Sequence, residues 1–215
     1  MIENKKEEIN EIINALQNCL FDEIAEYNFY DNIVHCFKES YKKSFTYEMG
    51  ATKGVLIFEN LGFVIKIPFC GDEDYNFCGA EANNCWDYCE AEMLKYSDAK
   101  ADNINQCFAE TQLLTHIDDY PIYIQEYAQI FDTDDLESST SSKEEQEKVS
   151  SLCEEQNYNC FNSIWLGDVF NYFGEEIFYH LLNFIIDANI SDLHNANIGY
   201  IGTKPVLVDY SSFND

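Results

Sequence analysis

Arginine is absent from this chain, which sets 12 lysines against 40 aspartates and glutamates. The formal net charge is −28. A surface that cradles a nucleic-acid backbone needs clustered basic side chains, so we expect no nucleic-acid partner. The acidic balance predicts a highly soluble surface instead.

Long apolar runs are also absent. Residues 1–8 lack the apolar core of a signal peptide, and no later run reaches the roughly 18 apolar residues that a membrane span requires. We therefore expect a cytoplasmic protein without a membrane partner. Nine cysteines, an odd number without a secreted framework, favour free thiols. A structural zinc held by Cys70, Cys78, Cys85 and Cys89 is the alternative, although no C-x-x-C pair is present.

The first 43 residues carry two helical patterns. Ile9, Ile12, Ile13 and Leu16 recur at helical spacing, and a second pattern runs over residues 29–41. Two interpretations are open: a helical cap on the domain that follows, or an element that binds a partner.

The pattern changes to strands at residue 44. Residues 45–49, 55–58 and 63–69 read as three strands joined by glycine-containing turns. Lys66 lies inside the third, strongly apolar strand, where burying a lone ammonium is costly, so it needs an anionic partner. The alternative is an edge lysine that extends its charge into solvent.

A helix over residues 85–97 is predicted to supply that partner. Glu90 and Glu92 are the candidates, and the stripe from Trp86 to Tyr96 places Glu92 nearer the buried face. Two further strands are predicted at residues 108–114 and 120–128.

The second half of the chain begins with a polar stretch. Residues 132–155 predict an exposed loop and a polar helix, with a phosphorylatable Ser/Thr tract as the alternative. Two apolar helices follow, over 165–173 and 177–186. Short apolar runs then place Asp192, Asn197 and Asp209 at their loop ends, where a β-hairpin would gather them at one edge.

In this order, the glycine turn, strand lysine, helix glutamate, D-L-H-x-x-N loop and V-D-Y-S ending resemble the protein-kinase-like phosphotransferases. The resemblance covers about residues 45–213 and implies an α+β, two-lobed fold with a five-stranded antiparallel N-lobe sheet and a truncated helical C-lobe. It divides the chain into a helical extension (1–43), an N-lobe with hinge (44–129) and a C-lobe (130–215).

The resemblance also assigns roles in the second half. Asp192 would orient the acceptor hydroxyl, while Asn197 and Asp209 would hold magnesium. His194 stands where protein kinases usually have lysine and is similar to the D-L-H loops of aminoglycoside and choline kinases. Taken singly, however, Asp and Asn are common turn residues, and His194 could simply cap a loop.

In the first half, the resemblance implies an ATP site. Lys66 with Glu92 or Glu90 would hold the phosphates, and Gln125 would stand at the gatekeeper position. The other residues implied to bind ATP are those of the phosphate loop and the hinge: Gly50, Thr52, Lys53, Gly54, Glu126 and Ala128.

The departures from the family bear on function. Ile190-Ser191 replaces His-Arg, Tyr210-Ser211 replaces Phe-Gly, and the sequence ends at Asp215, so we expect no activation segment. The pattern is similar to minimal kinases of phages and bacterial effectors. We expect an ATP- and magnesium-dependent kinase acting on a protein hydroxyl, with a pseudokinase, a small-molecule kinase or an AMP-transferase as alternatives.

Overall fold

The computed structural model of the chain describes residues 2–21, 24–69, 86–131, 141–155, 158, 162–190 and 193–211. The chain divides into two compact units. The first unit is Met1–Met93 with Thr111–Tyr127, and the second unit is Leu94–Glu110 with Ala128–Asn214.

An antiparallel sheet of five strands lies at the centre of the first unit, in the order β1-β2-β3-β5-β4. Its strands are β1 Thr46–Met49, β2 Lys53–Phe58, β3 Phe63–Pro68, β4 Thr111–Ile117 and β5 Tyr120–Glu126. Gly62 closes the turn between β2 and β3 in a left-handed conformation, with φ of 69°. The α+β class and the five-stranded antiparallel sheet expected from the sequence are thereby confirmed.

The N-terminal helices cover one face of this sheet. They are α1 Lys6–Leu16, a π-helical turn Tyr30–His35 and α2 Cys36–Ser40. Because side chains alternate along β3, Phe63, Ile65 and Ile67 point into the core that these helices share with the sheet. Lys66 therefore points to the opposite face.

The second unit combines helices with a three-stranded sheet in the order β6-β7-β8. Its elements are the second half of α3 Trp86–Ala101, β6 Gln129–Ile130, α4 Lys143–Glu155, α5 Ser163–Phe173, α6 Glu175–Asp187, β7 Ile198–Ile201 and β8 Lys204–Leu207. Asn162 begins α5 by accepting the N–H groups of Ile164 and Trp165 on its side-chain oxygen. Gly174, with φ of 86°, separates α5 from α6.

The fourth strand begins later than the sequence predicts. The apolar run at Cys107, Phe108 and Ala109 is fully or almost fully buried, but it lies in the cores of the second unit. The strand starts at Thr111 and ends at Ile117. The apolar run at residues 107–109 indicated burial correctly, but it placed the start of the strand three residues too early. Phe108 forms only an isolated bridge with Leu207, because apolar side chains suit a buried segment outside a strand as well as one inside it.

No helix in the described part of the chain is long and apolar enough to cross a bilayer. The longest is α3, with 16 residues.

Phe37 tests the packing of the N-terminal helices on the sheet. Its side chain is fully buried, and its ring lies 5.0 Å from those of Tyr41 and Phe45 and 6.0 Å from that of Phe58, measured between centroids. We expect Phe37→Ala to lower the free energy of unfolding by about 3–5 kcal/mol, measured by urea denaturation. Tyr27→Ala, at a position 74% exposed, is the control and should change it by less than ~0.5 kcal/mol. An equal loss of stability in the two variants would contradict a core shared by the N-terminal helices and the sheet.

Candidate functional site

Lys66 forms a buried ion pair. It lies in β3, is 3% exposed, and donates from Nζ to Oε2 of Glu92 at 2.5 Å. Glu92 lies on α3 and is fully buried, whereas Glu90 is exposed. Of the two candidates, Glu92 is therefore the partner of Lys66, and the pair ties α3 to the face of the sheet opposite the N-terminal helices.

Lys53 is a second partner of the same carboxylate. Its Nζ donates to Oε1 of Glu92 at 2.5 Å, and the residue is 5% exposed. The strand register explains why two lysines meet there. Val55 lies opposite Lys66 in the β2–β3 ladder, and Lys53 precedes Val55 by two residues, so both lysines point to one face.

A side-chain amide completes this group, which we call the Glu92 cluster: Lys53, Lys66, Glu92, Thr111 and Gln125. Gln125 donates from Nε2 to Oγ1 of Thr111 at 2.7 Å and approaches Oε2 of Glu92 at 3.5 Å. All five residues are at most 5% exposed. Because buried polar groups are stable only when they are hydrogen-bonded, the cluster fixes α3, β2, β3, β4 and β5 together.

The residues of the expected hinge lie at the end of β5. Glu126 is the last residue of that strand and is half-buried, and Ala128 is 5% exposed. Tyr127 donates its N–H to the Gly62 carbonyl at 3.1 Å, and the first unit ends there. A role of Glu126 and Ala128 in bonding adenine through their backbone stays a prediction.

The expected phosphate loop is the turn between β1 and β2. Gly50 donates its N–H to the Lys53 carbonyl at 2.9 Å, and the carbonyl of Thr52, which is 6% exposed, accepts from Phe69 at 2.8 Å. Gly54 lies within β2, where a Cβ would fall 2.2 Å from the ring of Phe29. Packing alone thus accounts for glycine at position 54, and phosphate binding by the loop stays a prediction.

In the second unit, the predicted hairpin is present and positions two of the expected residues. β7 and β8 pair with Ile198 opposite Leu207. Asn197 directly precedes β7, and its carbonyl accepts the N–H of Val208 at 2.9 Å and of Asp209 at 3.4 Å. Asn197 and Asp209 therefore lie side by side at one end of the hairpin.

Their surroundings differ in burial. Asn197 is 7% exposed, whereas Asp209 is half-buried and its Oδ1 accepts from the Ser211 hydroxyl at 3.0 Å. Asparagine and aspartate offer the hard oxygen ligands that magnesium prefers, so this pair fits the metal role that the resemblance implies. Among the described residues, no three His, Cys, Asp or Glu side chains converge as a metal site.

His194 has a structural partner, and Asp192 has no described position. Nδ1 of His194 accepts the N–H of Ala196 at 3.2 Å and so caps the turn Asn195–Asn197, while the residue itself is exposed. Asp192 lies outside the described residues, so its role as catalytic base stays a prediction, as does a catalytic role of His194.

Tyr210 anchors the segment that carries Asp209, a structural role that the sequence pattern did not predict. It is 1% exposed, donates its hydroxyl to the Ala109 carbonyl at 2.8 Å, and packs its ring 5.0 Å from that of Phe108. Lys95 donates to the Ser211 carbonyl at 3.3 Å. The sequence signal for this role was an aromatic residue, Tyr210, directly after an apolar run that ends in Asp209.

The described cysteines are free thiols: Cys19, Cys36, Cys89, Cys107 and Cys153. Burial raises the pKa of Cys19 and of Cys107 to about 12, so both stay protonated and unreactive at neutral pH. Of the expected zinc cluster, Cys89 is buried, and the other three cysteines lie outside the described residues.

Charge removal at Glu92 tests the buried cluster. We expect Glu92→Gln to lower the free energy of unfolding by about 3–5 kcal/mol, because two buried ammonium groups lose the negative charge to which both donate. Glu90→Gln makes the same chemical change at an exposed position of the same helix and should shift it by less than ~0.5 kcal/mol. Denaturant unfolding of both variants measures the difference, and an unaffected Glu92→Gln would refute the ion-pair cluster.

Gly50, in the β1–β2 turn, and Gly54, in β2, should differ when each is replaced by alanine. A Cβ at Gly54 collides with the Phe29 ring, so we expect Gly54→Ala to destabilise the chain by about 1–3 kcal/mol. At Gly50 the nearest atom to a Cβ is 3.8 Å away, and Gly50→Ala should be close to neutral. Melting temperatures check this, and partial rescue of Gly54→Ala by Phe29→Leu would identify the collision as the cause.

Comparison with known proteins does not supply a function. No protein-family model matches this chain, and no curated protein matches it significantly. What supports a function is therefore the chain's own chemistry: the Glu92 cluster of the first unit and the Asn197–Asp209 pair of the second.

Proposed function

We propose that this chain has a two-lobed protein-kinase-like fold and is an ATP- and magnesium-dependent phosphotransferase that acts on a protein hydroxyl. The observation that carries the proposal is the buried pairing of Lys66 with Glu92. A strand lysine in a five-stranded antiparallel sheet, held by a glutamate of the next helix, is the arrangement with which protein kinases bind nucleotide phosphates.

The Asn197–Asp209 pair supports the metal-binding part of the proposal. The hairpin holds the two residues together through the Asn197 carbonyl, and both carry side-chain oxygens. Magnesium, when bound, supplies neutralisation of the charge on the phosphates. The hydrogen bond from Ser211 fixes the Asp209 carboxylate, so that less reorganisation accompanies binding.

Each residue has a defined task in the proposed reaction. Lys66 binds the phosphates, and Glu92 holds the lysine in position. Asp192, by resemblance, accepts the proton of the acceptor hydroxyl. The hydroxyl oxygen then forms a bond to the γ-phosphorus while the bond from that phosphorus to the ADP oxygen breaks, and ADP leaves with the electron pair.

Labelled ATP tests the reaction. The chain is incubated with magnesium, a bacterial lysate, and ATP labelled either on the γ-phosphate or on the adenine. We expect protein-bound label from the γ-phosphate only, and Asp209→Asn should reduce it by roughly 100-fold or more, as loss of a group that binds transition-state charge does. Because asparagine retains an oxygen that can accept the hydrogen bond from Ser211, the free energy of unfolding should change by less than ~0.5 kcal/mol.

Asp187→Asn is the matched control, since Asp187 is exposed at the end of α6 in the same unit, and it should label as the wild type does. Label from the adenine would indicate AMP transfer instead. Label that appears only in small molecules would show that the acceptor is a small molecule and not a protein. If magnesium-ATP does not raise the melting temperature of the wild type, the chain does not bind the nucleotide, and every proposed ATP-dependent activity is overturned. A pseudokinase-like binding module would then be the remaining function.

A further inference from the structure

The outer side of β1 is an open edge of the five-stranded sheet. Gly50 donates its N–H to the carbonyl of Lys53 at 2.9 Å and so faces β2. Because the backbone groups of an antiparallel strand face its partner at every second residue, Glu48 also faces β2, whereas Tyr47 and Met49 direct their N–H and C=O groups away from the sheet. No described residue is hydrogen-bonded to these outward groups.

The two edges of this sheet differ in regularity. On the opposite edge, the register of β4 shifts between Leu113 and Thr115, and such an irregularity hinders pairing with a further strand. The register of β1 is continuous from Thr46 to Met49, and the strand contains no proline and one charged side chain, that of Glu48. β1 is therefore the edge that suits the addition of an extended peptide.

Aromatic and apolar side chains lie beside this edge, on the face of the sheet that the N-terminal helices cover. We call this group the β1 surface: Tyr30, Lys38, Phe45, Tyr47 and Met49. Tyr30 is 42% exposed and Met49 is 45% exposed, and the ring centroids of Tyr30 and Tyr47 lie 5.8 Å apart. Since the side chains of an added strand alternate between the two faces of a sheet, every second one would pack against the β1 surface.

Lys38 supplies the charge of the β1 surface. Its Nζ lies 5.3 Å from the ring centroid of Tyr47, 5.5 Å from that of Tyr30 and 5.9 Å from that of Phe45. Cation–π attraction to three rings holds the ammonium beside the strand edge. Lys38 is exposed and forms no ion pair with any described residue, although the chain has 40 acidic residues and 12 lysines. A carboxylate on an added strand would complement this ammonium.

We propose that β1 is a docking site for an extended segment of a partner protein, which pairs with the outward backbone groups of Tyr47 and Met49. The segment places a carboxylate against Lys38 and apolar or aromatic side chains two positions before and after it, on the β1 surface. The residues between them face Glu48 and are not acidic, because like charges on neighbouring strands repel. This docking does not depend on nucleotide binding or on the proposed phosphotransfer.

A second copy of the chain does not have the chemistry of this partner. Two copies that paired antiparallel through β1 about a two-fold axis would place the same face of each sheet on the same side, so that Lys38 would approach the partner's Lys38. Each copy would also add a charge of −28. A separate segment that carries one carboxylate avoids both costs.

Selection from a displayed library of random peptides, each of about ten residues, tests the proposal on the full chain. We expect the enriched peptides to share one acidic residue with apolar or aromatic residues two positions before and after it, and no acidic residue directly beside it. A selection that enriches no peptide, or that enriches peptides without this alternation, would overturn the proposal.

Fluorescence anisotropy with one enriched peptide, made synthetically, measures the contribution of the strand edge. Met49→Pro removes an outward N–H but no hydrogen bond to β2, so we expect it to weaken binding roughly 10-fold. Met49→Leu keeps the N–H and should stay within about 3-fold of the wild type. Methylation of alternate amide nitrogens in the peptide, on the side that faces β1, should abolish binding with the protein unchanged. This measurement decides the question even if Met49→Pro does not fold.

The same assay tests the role of Lys38. We expect Lys38→Gln to weaken binding by up to about 5-fold, as loss of an exposed ion pair does. Replacing the acidic residue of the peptide by its amide should cost the same, and the two changes together should cost no more than either alone. Lys6→Gln, the same charge change at the exposed first residue of α1, should leave binding within about 1.5-fold of the wild type.

Amide hydrogen exchange locates the bound peptide. In the free chain, the outward N–H groups of Tyr47 and Met49 should exchange rapidly, and the peptide should slow both by about 10-fold or more at saturation. Exchange at these two amides that the peptide does not slow would overturn the proposal, as would equal affinity for the methylated peptide. Either result would leave the proposed phosphotransfer unaffected, because its assay uses ATP and no docking peptide.

Discussion

The fully buried carboxylate of Glu92 is the constraint on which the first unit depends. A charge in the protein interior is tolerated only with counter-charges and hydrogen bonds in place. Lys53 from β2 and Lys66 from β3 supply the counter-charges, and Gln125 connects the carboxylate to Thr111 on β4. Directional polar contacts therefore determine the position of α3 on its face of the sheet. On the opposite face, apolar packing determines the position of the N-terminal helices.

In the second unit, hydrogen bonds to backbone carbonyls have the equivalent role. The Asn197 carbonyl joins the two ends of the β7–β8 hairpin, and the buried Tyr210 hydroxyl ties the following residue to Ala109. Both contacts fix the backbone beside the half-buried Asp209, and the Ser211 hydroxyl donates to Oδ1 of its carboxylate. A carboxylate held in this way is oriented before a ligand binds, which is the preorganisation that the proposed metal-binding role requires.

The sequence predicted most elements and several of their contacts, for reasons that are local. Apolar strand patterns and glycine turns located β1, β2 and β3, and the stripe on α3 favoured Glu92 over Glu90. The contacts that the sequence did not predict depend on residues that are distant along the chain. That Lys53 meets Glu92 follows from the β2–β3 register together with the position of α3, and that Gly54 accommodates Phe29 follows from packing 25 positions away. Backbone contacts such as that of Asn197 leave no trace in side-chain identity.

The cover that the N-terminal helices provide has a consequence for synthesis. Ribosomes produce the chain from its N-terminus, so α1 and α2 emerge before any of the strands that bury their apolar faces. The sheet is complete only after residue 126, because β5 lies between β3 and β4. Until then the sheet offers no complete surface on which Ile12, Leu16 and Phe37 can pack, and these apolar side chains stay exposed in the nascent chain.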